Sequence, residues 1–181
     1  AEMFQLFERV SERVAASTGR PLASSLTRMP ALSLEAFENY VKGLVAATPA
    51  AQHRIFETAL TQAPRDPRIL IGLWDAYTAQ GAHDKALAAA NAVPAGTPDS
   101  RRARFAVALS LIELRRFDGA FSALNALYAE RPDPGISNAL GILQLRRGAP
   151  AQGTSAPTVY FGRAADNDPS FPGPSSLSWV M

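Results

Sequence analysis

Four prolines recur along the chain at nearly constant spacing and constrain its fold more than any other feature. Pro64, Pro98 and Pro132 are separated by 34 and 34 residues, and Pro169 follows after 37. The residues eight and five places before each proline are apolar in every case: Phe56 and Ala59, Ala90 and Val93, Leu124 and Leu127, Phe161 and Ala164. Residues three apart share one helix face, so each proline is predicted to close a helix that packs on a neighbour.

A second apolar pattern precedes each of these helices and predicts a first helix in every unit. In the second unit this pattern is Leu70, Leu73, Trp74 and Tyr77, and Gly81 follows where the helix should end. The third unit has a turn at 115–117, and the fourth has one at Gly148 followed by extra residues that account for the longer spacing. In the first unit the apolar residues, Phe37, Tyr40, Val41 and Leu44, lie one place late, with Gly43 among them.

This arrangement resembles the tetratricopeptide repeat family, whose 34-residue unit is a pair of antiparallel helices closed by a proline. The best match is the Leu70, Leu73, Trp74, Tyr77 set with GAHDKALAAANAV at 81–93, and RRFDGAFSALNAL at 115–127 matches nearly as well. The resemblance implies an all-α, right-handed α-solenoid of about four helix pairs. The expected units are 33–66, 67–100, 101–133 and 134–169. An ordinary helical bundle is the alternative, although a bundle does not require a 34-residue period.

The two ends of the chain lie outside the repeat pattern. Residues 1–32 are predicted to form a helix and a linker, which either cap the solenoid or are the remnant of a preceding domain. Residues 170–181 are predicted to be a loop or a truncated next repeat. Because the chain begins at Ala1, we expect a fragment or a processed product of a bacterial multidomain protein.

Proline also follows a capping residue at five places, which predicts the starts of helices. Asp and Thr side chains accept hydrogen bonds from the first turn of a helix, and proline suits its first position. The five pairs are Thr48-Pro49, Asp66-Pro67, Thr97-Pro98, Asp133-Pro134 and Asp168-Pro169.

The residues that most catalytic and metal sites require are scarce. Cysteine is absent, and the two histidines, His53 and His83, have no second ligand at metal-binding spacing and are interpreted as surface or turn residues. No nucleotide-binding or hydrolase motif occurs. The chain is therefore predicted not to be an enzyme and to carry no catalytic residue, cofactor or metal. No apolar run is long enough to span a membrane, and a cytoplasmic or a periplasmic location remains open.

The resemblance implies a protein-interaction scaffold that binds a peptide or partner segment in the concave groove formed by the first helices. Arginines beside apolar side chains would suit a partner with acidic groups. The set of Lys and Asn residues that clamps a terminal carboxylate in some relatives is absent. The residues expected to line the groove are Arg68, Ile71, Asp75, Thr78, Arg102, Phe105, Leu109, Ile112, Asn138, Ile142, Leu145 and Arg146.

The distribution of charge leaves further alternatives open. From Pro98 to Arg163 there are nine arginines and five acidic residues, so this region carries +4, either as a solvated helix surface or as a docking surface. One alternative function is the regulatory arm of a larger enzyme or signalling protein. Single-stranded RNA binding is less favoured, because no pair of polar residues recurs at the same place in each unit. A nucleic-acid partner is therefore not expected.

Overall fold

The computed structural model describes residues 32–148 and 157–167, all within one compact unit that runs from Leu32 to Met181. These residues form eight helices and no strand, so the predicted all-α class is confirmed. The predictions for the two ends of the chain lie outside the described residues. The helices are α1 (Leu34–Val45), α2 (Pro49–Gln62), α3 (Pro67–Ala79), α4 (His83–Asn91), α5 (Ser100–Glu113), α6 (Phe117–Glu130), α7 (Pro134–Arg146) and α8 (Pro157–Asn167).

The helices pack as four successive pairs, with α1, α3, α5 and α7 as the first helices. Each helix contacts the next one along the chain, and contacts between alternate helices join α1 to α3, α3 to α5 and α5 to α7. The first helices therefore form one continuous layer, whereas the second helices have no comparable mutual contacts in the described part of the chain. Closer spacing in the layer of first helices makes that layer the inner, concave side. The fold is an α-solenoid of helix pairs.

Three of the predicted helix caps are present. The side-chain oxygens of Thr48, Asp66 and Asp133 accept hydrogen bonds from first-turn amides at 3.2, 3.0 and 2.8 Å. The prediction for Thr97-Pro98 is wrong, because α5 begins only at Ser100 and Thr97 donates its hydroxyl proton to the carbonyl oxygen of Pro94 instead. Asp168-Pro169 lies outside the described residues.

The second helix of the second pair is shorter than the proline spacing predicts. Helix α4 ends at Asn91 and not near Pro98, because Pro94 cannot continue the helix and Gly96 turns the chain at a φ of 79°. Val93, predicted to lie on the packed face of this helix, lies in the turn instead. The missing helical turns leave an open cavity of about 400 Å³ between α4 and α5.

Helix α1 packs through its smallest residues. Ala36 and Gly43 are buried, whereas Phe37, Val41 and Leu44 of the predicted apolar face are exposed. A Cβ atom on Gly43 would lie 2.5 Å from the Phe56 ring, so glycine is what allows α1 and α2 to approach. The apolar residues of the first unit lie one place late because alanine and glycine, and not the large side chains, occupy the contact.

Candidate partner-binding groove

The predicted groove residues of α3 divide between structural and accessible positions. Ile71 is buried, and Thr78 is half-buried with a hydroxyl oxygen that has no hydrogen-bond partner in the described part of the chain. Arg68 donates to both oxygens of the Asp66 carboxylate, at 3.0 and 2.7 Å. This hydrogen-bonded pair raises the pKa of Arg68. Asp75 is the exposed member of the set.

Helix α5 presents a charged residue followed by two apolar ones. Arg102 is exposed, and its guanidinium lies 3.4 Å from the Asp75 carboxylate on α3. Phe105 and Leu109 lie one helical turn apart and are half-buried against the core, so part of each remains accessible. Ile112 is buried. Burial raises the pKa of Asp75, and the positive charge of Arg102 offsets part of that effect.

The predicted residues of α7 lie at very different depths. Asn138 is buried and Ile142 is half-buried, whereas the Leu145 side chain is 56% exposed. Arg146 forms an ion pair of 2.7 Å with Glu113 at the end of α5. Leu145 is thus the most exposed apolar residue of the predicted set, and the structure joins Arg146 to a neighbouring first helix.

Most of the arginines behind the local positive charge have carboxylate partners. Arg102 and Arg146 pair across the layer of first helices, and Arg101 and Arg104 both pair with Glu130 on α6. Hydrogen bonding from Arg104 lowers the pKa of Glu130. Arg116 and Arg147 pair with Asp84 and Asp118. The excess of arginine is therefore largely engaged in joining helices and is less available to an acidic partner than the sequence implied.

Sequence reasoning missed two contacts that hold the inner layer together. The indole nitrogen of Trp74 on α3 donates a hydrogen bond of 3.0 Å to the hydroxyl of Ser110 on α5. Glu113 was also missed as the partner of Arg146. Ser110 gave a signal, because it is the one hydroxyl within the apolar run FAVALSLI that begins at Phe105. A buried hydroxyl among apolar residues requires a partner, and Trp74 lies about one repeat earlier.

The described residues offer no assembled site for a metal ion. No group of three or more His, Asp or Glu side chains comes together in residues 32–148 or 157–167. His53 stacks on the Tyr77 ring at 5.5 Å and is hydrogen-bonded through Nδ1 to Gln80, while His83 begins α4. His53 therefore helps to join α2 to α3, and the interpretation of it as a surface residue was incomplete. No described helix combines the length and apolar character that a bilayer requires.

Comparisons with known proteins agree with this fold. The tetratricopeptide repeat family model matches residues 48–109, from α2 into α5, which confirms the resemblance over that stretch. No curated protein sequence matches the chain significantly. Two solved structures of MamA, a protein that contains tetratricopeptide repeats, each have a TM-score of 0.58. One, a mutant, is 18% identical and covers 92% of this chain; the other, AMB-1, is 17% identical and covers 98%; 99% of each MamA chain is covered.

At these identities the MamA structures establish the fold and nothing further. The matched repeats carry the functional argument, since tetratricopeptide repeats are typically non-catalytic interaction modules. The repeats and the fold therefore support a protein-interaction scaffold.

Proposed function

We propose that the inner layer of first helices binds a short segment of a partner protein. The observation that carries this proposal is the row of accessible apolar side chains on neighbouring first helices, Phe105 and Leu109 on α5 and Leu145 on α7. Accessible apolar side chains on a continuous concave layer provide anchor positions for the apolar residues of a bound segment. The outer layer, formed by second helices that spread apart, offers no comparable concave surface in the described residues.

The charges beside this row indicate what kind of segment would bind. Arg102 faces Asp75, and Arg146 faces Glu113, so each guanidinium already has a carboxylate next to it. A strongly acidic segment would have to displace both carboxylates. A segment with apolar anchors and few net charges would instead bind between the two ion pairs and leave them intact. We therefore favour an apolar segment, in place of the acidic partner that the sequence suggested.

The same ion pairs bear on the RNA alternative. A phosphate backbone requires cations that are free to replace its counterions. The groove arginines Arg68, Arg102 and Arg146 each lie next to an acidic residue of the chain. This arrangement supports a polypeptide ligand over single-stranded RNA.

A random twelve-residue peptide library displayed on phage tests the proposal directly. The chain is used as bait, enriched peptides are synthesised with a fluorescent label, and affinities are measured by anisotropy. Leu145→Glu should weaken binding by at least about tenfold, because it places a charge where an apolar anchor would lie. The matched control is Val45→Glu, an equally conservative change at an exposed residue on the first helix of the stack, which should leave affinity unchanged.

Two results would oppose the proposal. In one, no peptide is enriched; in the other, Leu145→Glu and Val45→Glu bind the enriched peptides equally well. A twelve-nucleotide uridine oligomer in the same assay addresses the alternative, since tight binding that is lost on Arg102→Glu would favour RNA over a peptide.

A further inference from the structure

One turn of the solenoid contains an arginine in a backbone conformation that suits glycine. Arg115, between α5 and α6, has a φ of 58°, the one non-glycine residue with positive φ in the described residues. The corresponding turn of the second pair has Gly81 at 70°, and that of the fourth has Gly148 at 72°. A side chain with a Cβ atom is strained in this region, so arginine is a costly choice for this turn.

The fold does not account for this choice through the side chain. Arg115 is exposed, and within the described residues its guanidinium has no ion-pair or hydrogen-bond partner. It lies over the ring of Phe117, with its central carbon 5.7 Å from the ring centroid. Strained residues tend to occur where a function requires them, and an observed outlier is grounds for a functional hypothesis.

A second arginine lies in the same arrangement beside the first. Arg147, at the end of α7, lies over the Phe121 ring at 5.9 Å. Phe117 and Phe121 are one turn apart on α6, so the two stacked guanidinium groups lie over neighbouring rings. We call Arg115, Phe117, Phe121 and Arg147 the stacked ridge. It lies at the turns between first and second helices, away from the row of groove side chains.

We propose that the stacked ridge binds an acidic protein segment. A guanidinium that lies flat on an aromatic ring keeps the N–H groups on its edge directed outwards, where they can hold a carboxylate through two parallel hydrogen bonds. Arg115 would take the first carboxylate of the partner. Arg147 would take the second by exchanging it for Asp118, which lies 2.9 Å away but is 91% exposed. Such an exposed pair contributes little and is readily replaced.

The spacing of the two arginines fits carboxylates at alternate positions of an extended segment. Rings one helical turn apart are separated by about 6 Å, and alternate side chains of an extended chain by about 7 Å. A nucleic acid fits this surface less well. Asp84 and Asp118 lie at the same turns and would face a continuous phosphate backbone, whereas discrete carboxylates can avoid them.

A labelled peptide of alternating glutamate and glycine tests the ridge by fluorescence anisotropy. Arg115→Gly should weaken binding by about fivefold to tenfold, the loss of one charge-assisted contact. Arg115→Lys should weaken binding almost as much, because lysine keeps the charge but neither stacks nor binds in two-pronged fashion. Arg147→Gln should have a similar effect. Arg65→Gln, which removes an exposed charge elsewhere, is the matched control and should change affinity less than twofold.

The variants also separate loss of binding from loss of folding. Arg115→Gly installs the residue found in the neighbouring turns, so its melting temperature should not fall. Equal losses for Arg65→Gln and Arg115→Gly would overturn the proposal, since they would show a general response to charge. Failure to bind the peptide at all, or tighter binding of an oligothymidine through the same two arginines, would also overturn it. Arg102→Glu in the groove should leave this binding unchanged, so the ridge and the groove are tested independently.

Discussion

The two halves of the solenoid fill equivalent positions with side chains of different chemistry. The amino-terminal core, around α1 to α4, contains Phe56 and Tyr77 together with the buried carboxylate of Asp66. The carboxyl-terminal core, around α5 to α8, is mainly aliphatic, with Leu124 at the position of Phe56 and Leu111 at that of Tyr77. Helix pairs of one period thus tolerate different cores, provided that the facing helix is complementary in size. The comparison leads to four tests, from the largest expected effect to the smallest.

The aromatic wedge should be the more costly of the two core residues to remove. Phe56 is inserted between Gly43 and Gly72, where added Cβ atoms would lie 2.5 and 2.7 Å from its ring. Phe56→Ala should lower the free energy of unfolding by about 3 to 5 kcal/mol, because glycines have no side chains that could move into the cavity. Leu124→Ala should cost about 2 to 3 kcal/mol. Urea denaturation compares the two, and equal losses would contradict the idea of a rigid glycine notch.

The two Asp-Pro caps should differ in the same direction. Asp66 is 5% exposed and holds both its helix amide and Arg68, whereas Asp133 holds its helix amide and is followed by Gly135. Asp66→Ala should cost about 2 to 3 kcal/mol, since the cap and the ion pair are lost together. Asp133→Ala should cost about 1 kcal/mol. A smaller loss for Asp66→Ala than for Asp133→Ala in thermal denaturation would contradict this difference.

Glycine to alanine should have opposite signs in the two halves. Gly72→Ala gains about 1 kcal/mol in helix propensity but overpacks the Phe56 ring, for a net loss of about 1 to 2 kcal/mol. Gly119→Ala, on α6, meets only Leu111 at 3.5 Å and should gain about 0.5 to 1 kcal/mol. In the Phe56→Ala background, Gly72→Ala should become stabilising. The prediction fails if the sign of the Gly72 change is independent of the residue at 56.

Tyr77 should give the amino-terminal core a dependence on alkaline pH. Burial and the hydrogen bond of 2.5 Å to Glu57 raise the pKa of Tyr77 to about 12. An acid whose pKa is raised on folding contributes stability that is present below the unfolded value, about 10, and is lost as the pH rises towards 12. Absorbance at about 295 nm should show a late phenolate component. Tyr77→Phe should abolish it, and Glu57→Gln should shift it to lower pH; a component that persists in Tyr77→Phe would contradict the assignment.

The period of the prolines predicts the class of fold and most helix bounds, because the pattern of apolar residues is local. It failed at α4, where Pro94 and Gly96 end the helix before the repeat would. Part of the groove could not be predicted for a different reason. Whether Ile71 or Asn138 is buried depends on how neighbouring first helices rotate, and the partners of Arg102 and Arg146 lie 27 and 33 positions earlier in sequence. No local spacing encodes such pairs.

The ion pairs between neighbouring helix pairs all have one direction. Asp75, Asp84, Glu113 and Asp118 lie on the earlier pair, and their partners Arg102, Arg116, Arg146 and Arg147 lie on the later one. Every acidic residue is therefore synthesised before the arginine that it meets. As the chain leaves the ribosome, each completed pair offers a negative surface, and the next pair arrives with the positive charges that match it. The solenoid can in this way be assembled in the order of translation, one helix pair after another.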